Sequence, residues 1–77
     1  MAVDVLDYLA RNLVDHPDEV QITETDDEGQ LVLELRVHAE DMGKVIGKRG
    51  RTAKAIRTMI KAAATRDGTN ATVEIVE

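Results

Sequence analysis

The stretch Val45-Ile46-Gly47-Lys48-Arg49-Gly50-Arg51 decides how this chain is read. Two glycines bracket two basic residues. An apolar pair precedes them, and a helical pattern with a basic side follows. Glycine lets the backbone turn, and approach another molecule, where a Cβ would clash. A helix starting at the second glycine presents free N–H groups and the positive end of its dipole. Lys48 and Arg49 at the tip add full charges. Such a loop is built to grip a phosphate backbone.

Outward from the loop, the charge distribution is uneven. The net charge is −5, which by itself argues against a polyanion partner. Yet residues 42–66 hold eight basic residues and no acid, whereas residues 1–41 hold twelve acids and two basic residues, Arg11 and Arg36. A cationic block inside an acidic chain marks an interaction face, or else a solvated helix face. The glycine pair beside it favours the interaction face.

The flanking periodicities predict the fold. Ala2, Leu6, Leu9, Ala10 and Leu13 make one apolar stripe, so residues 2–15 form a helix that Pro17 brings to an end. Residues 20–25 and 30–38 alternate as strands around a turn at Asp26-Asp27-Glu28-Gly29, and these two strands pair as a hairpin. Residues 40–46 form a short helix and residues 51–66 a longer one. The longer helix carries Ile56, Met59, Ile60 and Ala63 inward and Arg51, Lys54, Arg57 and Lys61 outward. Residues 71–76 form a last strand. The order α-β-β-α-α-β predicts an α+β sandwich, a three-stranded sheet packed against three helices.

Composition narrows the function classes. Seventy-seven residues make one small domain, and such a domain buries only about 60% of its unfolded surface. There is no cysteine, so disulfides and thiolate chemistry are excluded. No run reaches the roughly 18 apolar residues of a membrane span. The first residues lack the basic start and apolar core of a signal peptide, so a cytoplasmic location is expected. A nucleotide-binding Walker loop fails on spacing, since three residues separate Gly43 from Gly47 and Arg49 stands where Ser or Thr should be. His16 and His38 read as isolated surface or loop residues, and no metal site or cofactor is expected. Asp26, Asp27 and Glu28 lack the ligand spacing of a calcium loop. No carboxylate is set with a nucleophile or base, so no enzyme activity is expected.

A GxxG motif alone is weak. Here an aliphatic pair precedes the first glycine, an amphipathic helix follows the second, Ile56 sits six positions beyond, and the unit lies between strands. This arrangement resembles the KH domain of RNA-binding proteins, in its type II topology. Asp41-Met42-Gly43-Lys44-Val45-Ile46-Gly47-Lys48-Arg49-Gly50-Arg51-Thr52-Ala53, with Leu31-Val32-Leu33-Glu34-Leu35-Arg36-Val37 before and Glu74-Ile75-Val76-Glu77 at the end, is similar to the KhpA family of small bacterial single-KH-domain proteins. The resemblance spans residues 1–77. It implies a clamp for about four nucleotides of single-stranded RNA, formed by Gly47, Lys48, Arg49 and Gly50. Val45 and Ile46 would form its apolar floor. Lys44, Arg51 and Lys54 would flank the phosphates, and the strand from Gln30 to Val37 would be the opposite wall. It further implies a homodimer, or a heterodimer with a larger KH-containing protein (KhpB-like), and an RNA-chaperone role in cell elongation and in envelope and peptidoglycan homeostasis.

Tyr8 is the single aromatic residue. Single-strand binders often stack bases on rings, each worth roughly 1–3 kcal/mol. Without them, binding rests on phosphate contacts and is weak and salt-sensitive, and avidity from a second domain gains importance. The alternative reading is a protein-interaction module in which the KH fold mainly dimerises.

Overall fold

The computed structural model describes all 77 residues. Its elements are α1 (Ala2–Leu13), β1 (Gln21–Asp27), β2 (Gln30–Arg36), α2 (Met42–Ile46), α3 (Arg51–Arg66) and β3 (Asn70–Val76). Single 3-10 turns at Pro17–Glu19, Ala39–Asp41 and Lys48–Gly50 lie between them. The predicted order α-β-β-α-α-β and the α+β class are both found.

β1 and β2 form an antiparallel hairpin in which Asp27 faces Gln30. Its two connecting residues, Glu28 and Gly29, both have positive φ, at 53° and 83°. That pair matches the twist of the flanking strands. β2 then pairs in parallel with β3, from Gln30↔Asn70 to Arg36↔Val76. The sheet order is β1-β2-β3. The connection between the parallel strands is the α2–loop–α3 unit, so the glycine loop sits at the outer bend of the crossover.

One face of the sheet buries Leu33, Leu35, Ala71 and Val73 against Leu6, Val45, Ile56 and Ile60 from the three helices. Two of the predicted inward residues are corrected. Met59 is 44% exposed. The buried line of α3 is Ala53, Ile56, Ile60 and Ala64, and Met59 lies about 100° around the helix from Ile60. Leu13, the last residue of α1, is exposed as well. The helix ends there, and it is Val14, in extended conformation, that turns into the core. No helix is long and apolar enough to cross a membrane.

Candidate nucleic-acid interface

α2 is only five residues long, too short to be stable alone. Its one buried side chain, Val45, is fully enclosed in the core. This corrects the expectation that Val45 lies beneath a ligand. It anchors the loop from below, and the exposed apolar contact falls to Ile46, which is 38% exposed.

The chain leaves α2 at Gly47, whose φ of 76° and ψ of 173° suit glycine only. A Cβ there would also lie 2.8 Å from the backbone nitrogen of Thr52 and collide with its side chain. The N–H of Gly47 donates to Gly43 O at 2.8 Å, and that of Gly50 to Gly47 O at 3.1 Å. Arg49 sits in the left-handed region, with φ 58° and ψ 25°. A non-glycine residue there carries local strain. The result is a tight tip that holds Lys48 and Arg49 outward. Gly50 then starts α3 in left-handed conformation, with no side-chain cap on the first turn. The Arg51 N–H donates to Lys48 O, and the rest of that turn has no side-chain acceptor.

The electrostatics separate this region from the rest of the surface. All eight basic residues of 42–66 are exposed. One of them, Lys44, is paired, its Nζ lying 3.3 Å from Asp15 Oδ2. The other seven, among them Lys48, Arg49, Arg51 and Lys54, have no carboxylate within 4.0 Å. By contrast the chain's acids, fifteen in number, are concentrated outside this segment.

The opposite wall also needs correction. β2 is the central strand, with β1 on one side and β3 on the other. Its backbone groups are therefore engaged by both neighbours. The strand with an open edge beside α3 is β3. Between them lies a cleft of about 430 Å³ lined by Arg57, Lys61, Ala71, Thr72, Val73 and Glu74. Arg57 Nε donates to Val73 O at 3.3 Å, closing part of that edge. Sequence periodicity placed Arg57 on the basic face but gave no sign of this contact.

A second polar cluster braces the interface, and here the two histidines are not isolated. Their rings stack with centroids 4.1 Å apart. Asp41, immediately before α2, is 1% exposed. Its Oδ1 accepts from Asp15 N–H at 3.2 Å, and its Oδ2 from His16 N–H at 2.9 Å. His16 Nδ1 also lies 2.9 Å from Oδ2. Burial alone would raise the Asp41 carboxyl, but the His16 ring and the two backbone donors outweigh it and hold it below its ordinary value. The same ring hydrogen bond lifts His16 above its ordinary value, against partial burial, helped by the charges of Asp41, Glu40 and Glu19. His38 Nδ1 accepts from Glu40 N–H at 3.0 Å, which places its ring hydrogen on Nε2, facing Glu19 at 3.7 Å. His16, His38 and Glu40 bring donor atoms within 4.8 Å of one another. However, with His16 Nδ1–H on Asp41 and His38 Nδ1 taken by a backbone N–H, one free imidazole lone pair remains, on His16 Nε2. The cluster is two small hydrogen-bonded groups joined by the stacked rings, and proton exchange at His16 Nε2 is its available chemistry.

A family model described as "KhpA/KhpB, KH domain" matches residues 3–75. The chain belongs to this KH-domain family. The RNA-binding protein KhpA of Clostridium acetobutylicum is 57% identical over 72 residues, covering 94% of this chain and 96% of that protein. The RNA-binding protein KhpA of Treponema pallidum is 47% identical over 77 residues, covering 100% of this chain and 96% of the relative. Among solved structures, Aquifex aeolicus Era Y63A bound to GDP.AlF4- matches with a TM-score of 0.62 at 21% identity, over 96% of this chain and 29% of that one. That likeness is one of fold. The KH topology accounts for the helix–loop–helix crossover between parallel strands, and the family is one of binding proteins, not enzymes.

Proposed function

We propose that the chain, as one KH domain over residues 1–77, binds single-stranded RNA through Gly47–Gly50 and the basic side of α3. The observation that carries this reading is the group Lys48, Arg49, Arg51 and Lys54, exposed and without a carboxylate partner at a glycine-bounded tip, continued along α3 by Arg57 and Lys61. Like charges gathered on one face repel each other, and a polyanion relieves that repulsion. The KhpA relatives named as RNA-binding proteins support the same ligand. Lys48, Arg49, Arg51 and Lys54 meet the phosphates, Gly47 and Gly50 let the backbone approach, Ile46 supplies apolar contact, and β3 with Arg57 forms the far wall. Lys44 joins only by leaving Asp15.

The protein works in the cytoplasm as an RNA chaperone, as a homodimer or with a larger KH-containing partner, in cell elongation and envelope homeostasis. An exposed apolar line on α3, Ala55, Met59 and Ala62, supports self-association. At 100° per residue Ala62 and Ala55 fall about 20° and 40° around the helix from Arg51, so a dimer through this line borders the RNA face. That same line, with Tyr8 at 68% exposure, favours the second reading, an interaction module.

The test is fluorescence anisotropy of a labelled single-stranded RNA across a salt series. Four phosphate contacts predict a log–log slope of roughly −3. Lys48→Asp with Arg49→Asp abolishes binding while the circular dichroism spectrum and oligomeric state stay unchanged. RNA affinity unaltered in that variant would remove the loop from the site. For the dimer, Met59→Asp shifts light-scattering mass to that of a monomer.

A further inference from the structure

Two buried residues hold α2 and the loop that continues from it. They are Val45 in the core and Asp41 at the near end, four residues apart and so on one face of the helix. Asp41 fastens α2 to the segment that joins α1 to β1, through Asp15 and His16. Lys44 reaches the same segment at Asp15. A five-residue helix has no independent stability, so these ties set how firmly the loop is presented.

Resting on the RNA-binding reading above, we infer that Asp41 and His16 form a proton-dependent positioning latch for the loop, tight when His16 carries two ring protons and looser when it carries one, so that RNA affinity declines as pH rises from 6 to 8. Oδ2 of Asp41 is an acceptor, which fixes the first ring proton of His16 on Nδ1. The second enters at Nε2, 3.9 Å from Glu40 Oε1. There it turns a hydrogen bond from neutral imidazole to the Asp41 carboxylate into an ion pair between imidazolium and carboxylate, adding Coulomb attraction to the existing bond. The groups facing this proton are named by the packing. Asp41 and Glu40 favour it directly, and the His38 ring stacks on it with Glu19 at that ring's far edge. Lys44, held by Asp15, and Arg11, whose Nη1 donates to Pro17 O at 2.7 Å, are the nearby positive charges that oppose it. Lysine and arginine do not titrate between pH 6 and 8, there is no cysteine, and the N-terminal amine lies at the other end of α1, near Asp67. Proton-linked binding in that range therefore points to this cluster.

The experiment measures anisotropy with one labelled single-stranded RNA at fixed salt from pH 6 to 8, for the wild type, His16→Gln and His38→Gln. The wild type weakens by about two- to fivefold, within what one coupled protonation supplies. His16→Gln keeps the wild type's pH 8 affinity at every pH, and His38→Gln retains a slope. A flat wild-type profile while imidazole NMR shows His16 titrating, a slope that survives in His16→Gln, or a slope lost only in His38→Gln overturns the latch. A wild type that binds no RNA at any pH defeats the RNA reading instead. Amide exchange then decides the latch without RNA. Corrected for intrinsic rates, protection of Val45, Ile46 and Gly47 falls between pH 6 and 8 in the wild type and stays constant in His16→Gln. Equal behaviour of the two proteins overturns it.

Discussion

Asp41 and Lys48 are seven residues apart and treat charge in opposite ways. Asp41 is sealed from solvent, with three nitrogen partners on its two oxygens. Lys48 and its neighbour Arg49 are exposed at a strained tip with no acid in reach. A buried carboxylate is tolerated only when its lone pairs are filled, so Asp41 marks scaffold. An exposed cation costs little unpaired, and a surface ion pair is worth about 0–1 kcal/mol. One bare lysine thus carries no message. Lys48, Arg49, Arg51 and Lys54 gathered at one glycine loop without a carboxylate partner, in a chain with fifteen acids elsewhere, carry one. The partner of the first charge is within the chain, and the proposed partner of the second group, RNA, lies outside it.

This contrast breaks first at Gly47. Gly47→Ala combines a backbone conformation reserved for glycine with a collision against Thr52, and should destabilise by about 2–4 kcal/mol in urea melts. A loss under about 1 kcal/mol would mean that the tip relaxes without effort. Next comes Asp41→Ala, which leaves three N–H donors without their acceptor. Its Tm should fall by about 10 °C or more in calorimetry, and a Tm within experimental error would strip Asp41 of its bracing role. Gly50→Ala is gentler. Gly50 also has positive φ, but a Cβ there meets nothing within 4 Å, so the cost is about 1 kcal/mol. Parity with Gly47→Ala would show that backbone angle, not the contact with Thr52, governs the loop.

The pH dependence of stability follows from the same pair. The raised His16 contributes stability that is full below its ordinary value of 6.5 and is lost as pH climbs through the higher folded value. The lowered Asp41 contributes stability that is full above 3.8 and is lost as pH drops through the lower folded value. Thermal melts should therefore show a plateau between those limits and a decline above pH 6.5, and the alkaline decline should vanish in His16→Gln. The smallest effect belongs to Arg49→Gly, which removes strain and adds chain entropy. Stability should stay within about 1 kcal/mol of wild type, while RNA affinity drops. An unchanged affinity would separate Arg49 from the clamp.

The elements were legible because each is written locally. The period-2 run of Leu31, Leu33 and Leu35 and the period-3.6 runs of α1 and α3 are carried by neighbouring residues, and Gly47 and Gly50 announce a turn by their type. Errors came where a residue's fate depends on what it meets. Met59 satisfies a broad helical stripe, yet the narrow seam between α3 and the sheet admits Ile60 and excludes it. Val45, two residues before Gly47, reads as ligand contact by the resemblance, but a one-turn helix must send one apolar residue into the core. The family resemblance assigns β2 the opposite wall, whereas parallel pairing with β3 places it at the centre.

The amino-acid sequence alone determined the α+β order, the glycine-bounded loop, and the concentration of positive charge along residues 42–66, because hydrophobic period, glycine and charge are properties of adjacent residues. Only the tertiary structure decided that β3 flanks the loop's helix and that Asp41 joins His16 across 25 positions. It also decided that two histidines, separate in the chain, stack. Those outcomes depend on which surfaces the folded core brings together, and no local pattern of residues encodes a distance between segments so far apart.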